Sequence, residues 1–188
     1  MNRTSRLMMA AAALLLAGMY FLPLWQITLE APQYPEGLGM TIHLHTVRGE
    51  RPNDLESINN LNHYIGMKRI EPDAIAELAY MPYIIGAMIL LGVVAAASGR
   101  RWSVLAWILL FAALGVAGMV DFYLWEYDYG HDLDPRAIIQ IPGMSYQPPL
   151  IGSEQILNFM AHSYPASGAW LAVISGLLAA VAWWRSRP

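Results

Sequence analysis

Four apolar blocks constrain this chain more than any other feature in it. They run from Leu7 to Leu24, Met81 to Ser98, Trp102 to Tyr123 and Pro165 to Trp184. Each is roughly 18–22 residues long, enough to cross a hydrocarbon layer of ~30 Å at ~1.5 Å of rise per residue. A backbone in lipid must satisfy its own hydrogen bonds, so such blocks are expected as helices. The expected fold class is an integral membrane, all-α four-helix transmembrane bundle carrying a small α+β extracytoplasmic cap. The composition of the 188 residues, 56% hydrophobic and 13% charged, excludes an ordinary cytosolic globule.

Basic residues give the orientation. Arg3 and Arg6 precede the first block, Arg100 and Arg101 sit in the short turn 99–101, and Arg185 and Arg187 follow the fourth block. In a four-span arrangement all six fall on one side, which the positive-inside rule assigns to the cytoplasm. Both termini are then cytoplasmic, and segments 25–80 and 124–164 lie outside. Pro23, Leu24, Trp25 and Gln26 follow the first block in place of a small-residue cleavage site, so it reads as an uncleaved anchor. Tryptophans and tyrosines near the block ends suit the membrane interface. A net charge of −3 gives no reason to expect nucleic acid as a partner.

The absence of cysteine rules out disulfides, thiolate zinc sites, iron–sulfur clusters and c-type haem attachment. Any metal must be held by His, Met, carboxylate or carbonyl. All five histidines fall in the outer segments. In GMTIHLHTV, Met40, Ile42 and Leu44 alternate with Thr41, His43 and His45, the period of a half-buried strand that would present both imidazoles on one face. Asn53 or Asp54 then caps a helix DLESINNLNHYI, closed by Gly66, with Ile58, Leu61 and Ile65 as its buried stripe. Its several Asn residues weaken such a helix unless they are used for bonding. His63 and Met67 are four apart and meet across its end, an imidazole and a thioether that together suit Cu(I). Pro72 begins a further helical stretch, DAIAELAYM, leading into the second block.

In the second outer segment, Asp121, Glu126, Asp128, His131, Asp132 and Asp134 crowd into DFYLWEYDYGHDLDP, read as a solvated acidic surface with turns at Tyr129, Gly130 and Asp134-Pro135. Asp121 stands at the membrane boundary, where an ionised group needs a partner. AIIQIPGMSYQPPLIG reads as a short strand and a rigid loop with Met144 at its turn, and Ser153 as the cap of a helix EQILNFMAHS. His162, close to the outer boundary, is placed to anchor, ligate or titrate near neutrality.

The runs APQYPEGL (31–38), INNLNHYIGM (58–67), YDYGHDLDP (127–135) and PGMSYQPPLIG (142–152) resemble a family of small four-span bacterial membrane proteins associated with nitrous oxide reductase accessory gene clusters. The resemblance implies an inner-membrane location and a role in copper delivery, in assembly of a periplasmic copper enzyme, or in an electron-transfer complex serving one. It brings no functional residues with it.

The candidate metal ligands are therefore His43, His45, His63 and Met67, supplemented by His131, Met144, Met40 or Met160, with copper as the expected cofactor. Asp121 and His162 are further candidate site residues. The expected function is a non-enzymatic, membrane-anchored accessory protein with membrane or periplasmic protein partners. The alternative is a structural or docking subunit of a respiratory complex with no metal of its own. G-x-S-x-G, H-E-x-x-H and P-loop sequences are absent, which leaves an enzyme as the weakest reading.

Overall fold

The computed structural model describes residues 1–186. Arg187, one of the six basic residues used for orientation, lies outside the described residues. The chain forms α1 (Arg3–Leu15), continued as a 3-10 turn (Leu16–Tyr20), then β1 (Trp25–Ala31), β2 (Tyr34–Ile42), β3 (Val47–Gly49) and α2 (Asp54–Ile65). After a 3-10 turn at Pro72–Ala74 come α3 (Ala76–Ser98), α4 (Arg101–His131), β4 (Gly152–Ile156), β5 (Phe159–Pro165) and α5 (Ser167–Trp184). The all-α bundle expected from the apolar blocks is corrected by this order. Both outer segments contribute to a five-stranded antiparallel sheet, β3-β2-β1-β5-β4, and the fold is α+β.

Three helices, α3, α4 and α5, are long and apolar enough to cross a membrane. The first block instead divides between a 13-residue α-helix and a five-residue 3-10 continuation. It is nonetheless the best-covered part of the bundle: Met9, Ala12, Ala13 and Leu16 are fully buried between α3 and α5. Small residues bring the helices close. A Cβ on Gly92 of α3 would stand 2.5 Å from that of Ala13, and buried Ser175 of α5 donates to the Ala12 carbonyl at 2.7 Å. Trp107 Nε1 ties α4 to α3 through the Met88 carbonyl at 2.8 Å.

At one end of the bundle, Arg6 donates from Nε to the Ala96 carbonyl (3.0 Å) and from Nη2 to that of Ala97 (2.9 Å). These are orphan carbonyls at the end of α3, where a cation is favoured. The sheet occupies the opposite end. Its buried face, with Trp25, Ile27, Leu38, Met40 and Val47, packs with Ile58 of α2, Leu78 of α3 and, from α4, Met119, Phe122, Trp125 and Tyr129. β1 is central, and Trp25 Nε1 crosses to Ser163 Oγ on β5 at 2.8 Å.

Four local expectations are overturned. β2 ends at Ile42, and His43 N–H donates to the Thr46 carbonyl at 2.8 Å, so His43 and His45 occupy a tight turn instead of a strand face. The acidic aromatic run is helical through His131, because Gly130 serves a close approach and no turn. Its absent Cβ would lie 2.5 Å from the Gln147 backbone. The stretch 153–163 is a hairpin instead of a helix, with Leu157 at φ 55 in its turn. Ala161 and Ser163 are buried and Met160 and Tyr164 exposed, a period of two read in the sequence as a helix. No strand forms at 137–141.

Candidate functional site

α4 has 31 residues and is about 46 Å long, well beyond a hydrocarbon core. The apolar block 102–123 makes up most of it, and residues 124–131 continue the helix beyond that block. Towards that end Met119, Phe122, Trp125 and Tyr129 recur at spacings of three and four and lie against the sheet. Glu126 falls on the same side and is 1% exposed.

Beside Glu126 lies a cavity of about 360 Å³, walled by Ile27 and Met40 of the sheet, Ile58, Leu61 and Ile65 of α2, and Trp125 and Tyr129 of α4. Tyr146 and Pro148 close it from the segment between α4 and β4. That segment is fastened by backbone hydrogen bonds from Asp134 N to Gly66 O (2.8 Å), Ile139 N to Tyr64 O (2.9 Å) and Tyr146 N to Gly130 O (3.0 Å). The wall is therefore built by docking of irregular chain onto two helix ends, which no local pattern announces.

Neither Glu126 oxygen has a hydrogen-bond partner, and the buried Tyr146 hydroxyl has none either. Glu126 is the only charged-type side chain lining the cavity among the described residues. Without a cation to offset desolvation, burial pushes its carboxyl up to about 8, so it is a neutral hydrogen-bond donor at pH 7. A buried polar group without a partner costs roughly 1–3 kcal/mol. Three such groups at one apolar cavity, the Glu126 carboxyl, the Tyr146 hydroxyl and the Trp125 indole N–H, make it the candidate binding site.

The residues singled out from sequence do not assemble. His43 is half-buried, and its Nε2 lies 3.3 Å from Thr41 Oγ1. Burial first, then Arg48 and His45, pushes its imidazole below the usual range. His45 is exposed in the same turn. His63 is exposed on α2, whereas Met67 is half-buried and lines the cavity. His131 is exposed at the end of α4, stacked on Tyr127 with ring centroids 3.9 Å apart, and Met144 sits in the docked segment. Met40 lines the cavity from β2, and Met160 is exposed on β5. Asp121 is within electrostatic reach of Glu77 and Tyr80 on α3. Among the described residues, no group of three or more His, Asp or Glu is placed to hold a metal ion.

His162 has a different setting. Its Nδ1 lies 2.6 Å from Ser153 Oγ, and its Nε2 lies 3.8 Å from Glu30 Oε2. Ser153 also contacts the Tyr164 hydroxyl at 3.1 Å. This serine–imidazole–carboxylate line crosses the open face of the sheet. The contact to Glu30 is long for an orienting hydrogen bond, and Ser153 and Glu30 are exposed, so the line reads as cross-strand pairing.

Sequence reasoning missed Glu126 and Tyr146. Glu126 had a signal, since it belongs to the apolar stripe of α4 once the helix is continued past Tyr123. Tyr146 had none. Comparison with protein-family models gives no match, and comparison with curated proteins gives none either. The family resemblance of the outer segments rests on its own residues.

Proposed function

We propose that this chain is a four-span membrane protein whose cap works by binding, receiving a small apolar molecule in the Glu126 cavity on behalf of membrane or periplasmic partners. The observation that carries this reading is a walled apolar cavity holding an unpartnered, fully buried carboxyl. A fourth span beside α3, α4 and α5 is supported by α1 and its 3-10 continuation, whose combined rise is about 30 Å. The inner-membrane location and the placement among accessory proteins of respiratory or copper-enzyme assembly are supported by the resemblance. No step is routed through copper, because among the described residues no group of three or more His, Asp or Glu is placed to hold an ion.

Purified protein in lipid nanodiscs tests the reading. A stoichiometric small molecule is expected in its organic extract by mass spectrometry. Leu61→Trp, which fills the cavity from α2, is expected to reduce that load at least about fivefold while leaving the circular dichroism of the sheet unchanged. An unchanged load in a folded Leu61→Trp protein would overturn it.

A further inference from the structure

The chemistry of the cavity restricts its occupant. The lining is aromatic and aliphatic, with the Trp125 and Tyr129 rings tilted by 35° at a centroid separation of 4.4 Å, and the volume of about 360 Å³ takes one or two fused rings and no whole lipid. The three unpartnered polar groups of the lining act as donors at neutral pH, the Glu126 carboxyl because it is protonated, Tyr146 through its phenol and Trp125 through its indole N–H. A ligand that answers these donors in an apolar site must carry acceptor oxygens and no charge of its own, since the lining offers no permanent ion to pair with it. The cavity also begins one turn beyond Tyr123, where α4 leaves the membrane, so a compound dissolved in the bilayer meets it at the interface.

Resting on the binding reading above, we propose that the occupant is a bilayer-soluble neutral ring compound bearing carbonyl oxygens, of the quinone class, held by hydrogen bonds from the Glu126 and Tyr146 side chains. Glu126 and Tyr146 reach the same ligand because the backbone of Tyr146 is bound to Gly130, one helical turn after Glu126. The groups that line the cavity with Glu126 include Ile27, Leu29 and Met40 from the sheet, Ile58, Asn62 and Tyr64 from α2, and Tyr146 from the docked segment. Tyr129 joins them from its own helix. Tyrosines are the only other titratable groups in that set, and Lys68 is engaged outside it by Asp128 and Asp132. Ionisation of Glu126 itself therefore governs binding below the tyrosine range.

The test is equilibrium binding to nanodisc-embedded full-length protein of three probes of similar size: menadione, methylnaphthalene and naphthylmethylammonium. Menadione is expected to bind wild type and Glu126→Gln, which keeps a donor, at about pH 6.5, and to bind Glu126→Leu and Tyr146→Phe about tenfold more weakly. At about pH 9.5 wild type is expected to lose menadione while Glu126→Gln keeps it. Equal binding of menadione and methylnaphthalene would overturn the carbonyl inference and leave the apolar pocket standing. Preference for the ammonium probe, abolished by Glu126→Gln, would make the site cationic instead. Failure of all three probes on wild type would overturn both readings.

Discussion

At the scale of single residues, the buried carboxyl of Glu126 carries a cost that depends on pH. Its carboxyl titrates at 4.5 in a solvated chain and at about 8 in the fold. Between those values the folded state holds a proton that the unfolded state has released. Folded protein therefore binds more protons than unfolded, and stability must fall as pH rises through that window. This is opposite in sign to the usual salt-bridged carboxylate, which gains stability as it ionises. The melting temperature of wild type is expected to drop between about pH 5 and pH 8 by an amount equivalent to a few kcal/mol. That of Glu126→Gln is expected to stay flat over the same range and to exceed wild type at pH 8. Thermal unfolding in one detergent across the pH series reads both. Parallel curves for the two proteins would mean that the carboxyl is solvated in the folded state.

At the scale of elements, α2 shows what its asparagines are for. Asn59 receives the Ile70 amide on Oδ1 at 2.7 Å and donates from Nδ2 to the Ile70 carbonyl at 3.1 Å, while Asn62 donates to the Lys68 carbonyl at 3.2 Å. Together they fasten the strand-like stretch 67–71 along the helix and hold one wall of the cavity. Asn59→Leu leaves two buried backbone groups of Ile70 unpaired, at about 2–5 kcal/mol. Asn60→Leu, on the exposed side, is expected to change stability by less than about 0.5 kcal/mol. Denaturant melts of the two variants check the contrast, and equal losses would refute it. The helix itself was legible, since its apolar spacing and the left-handed Gly66 that ends it both follow local rules. The hairpin at 152–165 was not. Its Ser and Asn residues mimic caps, and its alternation emerges only when Trp25 pairs across β1 to Pro165. Gly130 failed as a turn signal for a related reason, since it serves to admit the docked segment, a use that depends on chain distant in sequence. Asp134-Pro135 does form a turn, closed by the Ala137 amide on the Asp134 carbonyl at 3.0 Å.

At the scale of the whole molecule, two independent lines converge on which ends belong together. Charge placement put residues 1–6, the turn 99–101 and the end of the fourth block on one side. The folded chain joins the same three places: the Met1 amino group donates to Gly99 O at 2.8 Å, Arg6 holds the end of α3, and the Arg101 guanidinium lies 5.4 Å from the Trp183 ring centroid. The cavity, α2 and the sheet lie at the other end. Charge placement assigns that end to the cytoplasm, the contacts assign it to neither side, and the absence of cysteine makes the orientation directly measurable, because every introduced thiol is the only one. In intact spheroplasts a membrane-impermeant maleimide is expected to label Asn60→Cys and Arg136→Cys, both exposed on the cap, and to leave Arg3→Cys and Arg100→Cys unlabelled until the membrane is opened. Labelling of Arg100→Cys in intact cells, with Asn60→Cys protected, would turn the molecule over and place the Glu126 cavity on the cytoplasmic face. Labelling of Arg3→Cys alone in that set would instead separate α1 from the other spans. It would require Arg6 to reach the end of α3 from outside, which a bilayer of ~30 Å between them forbids.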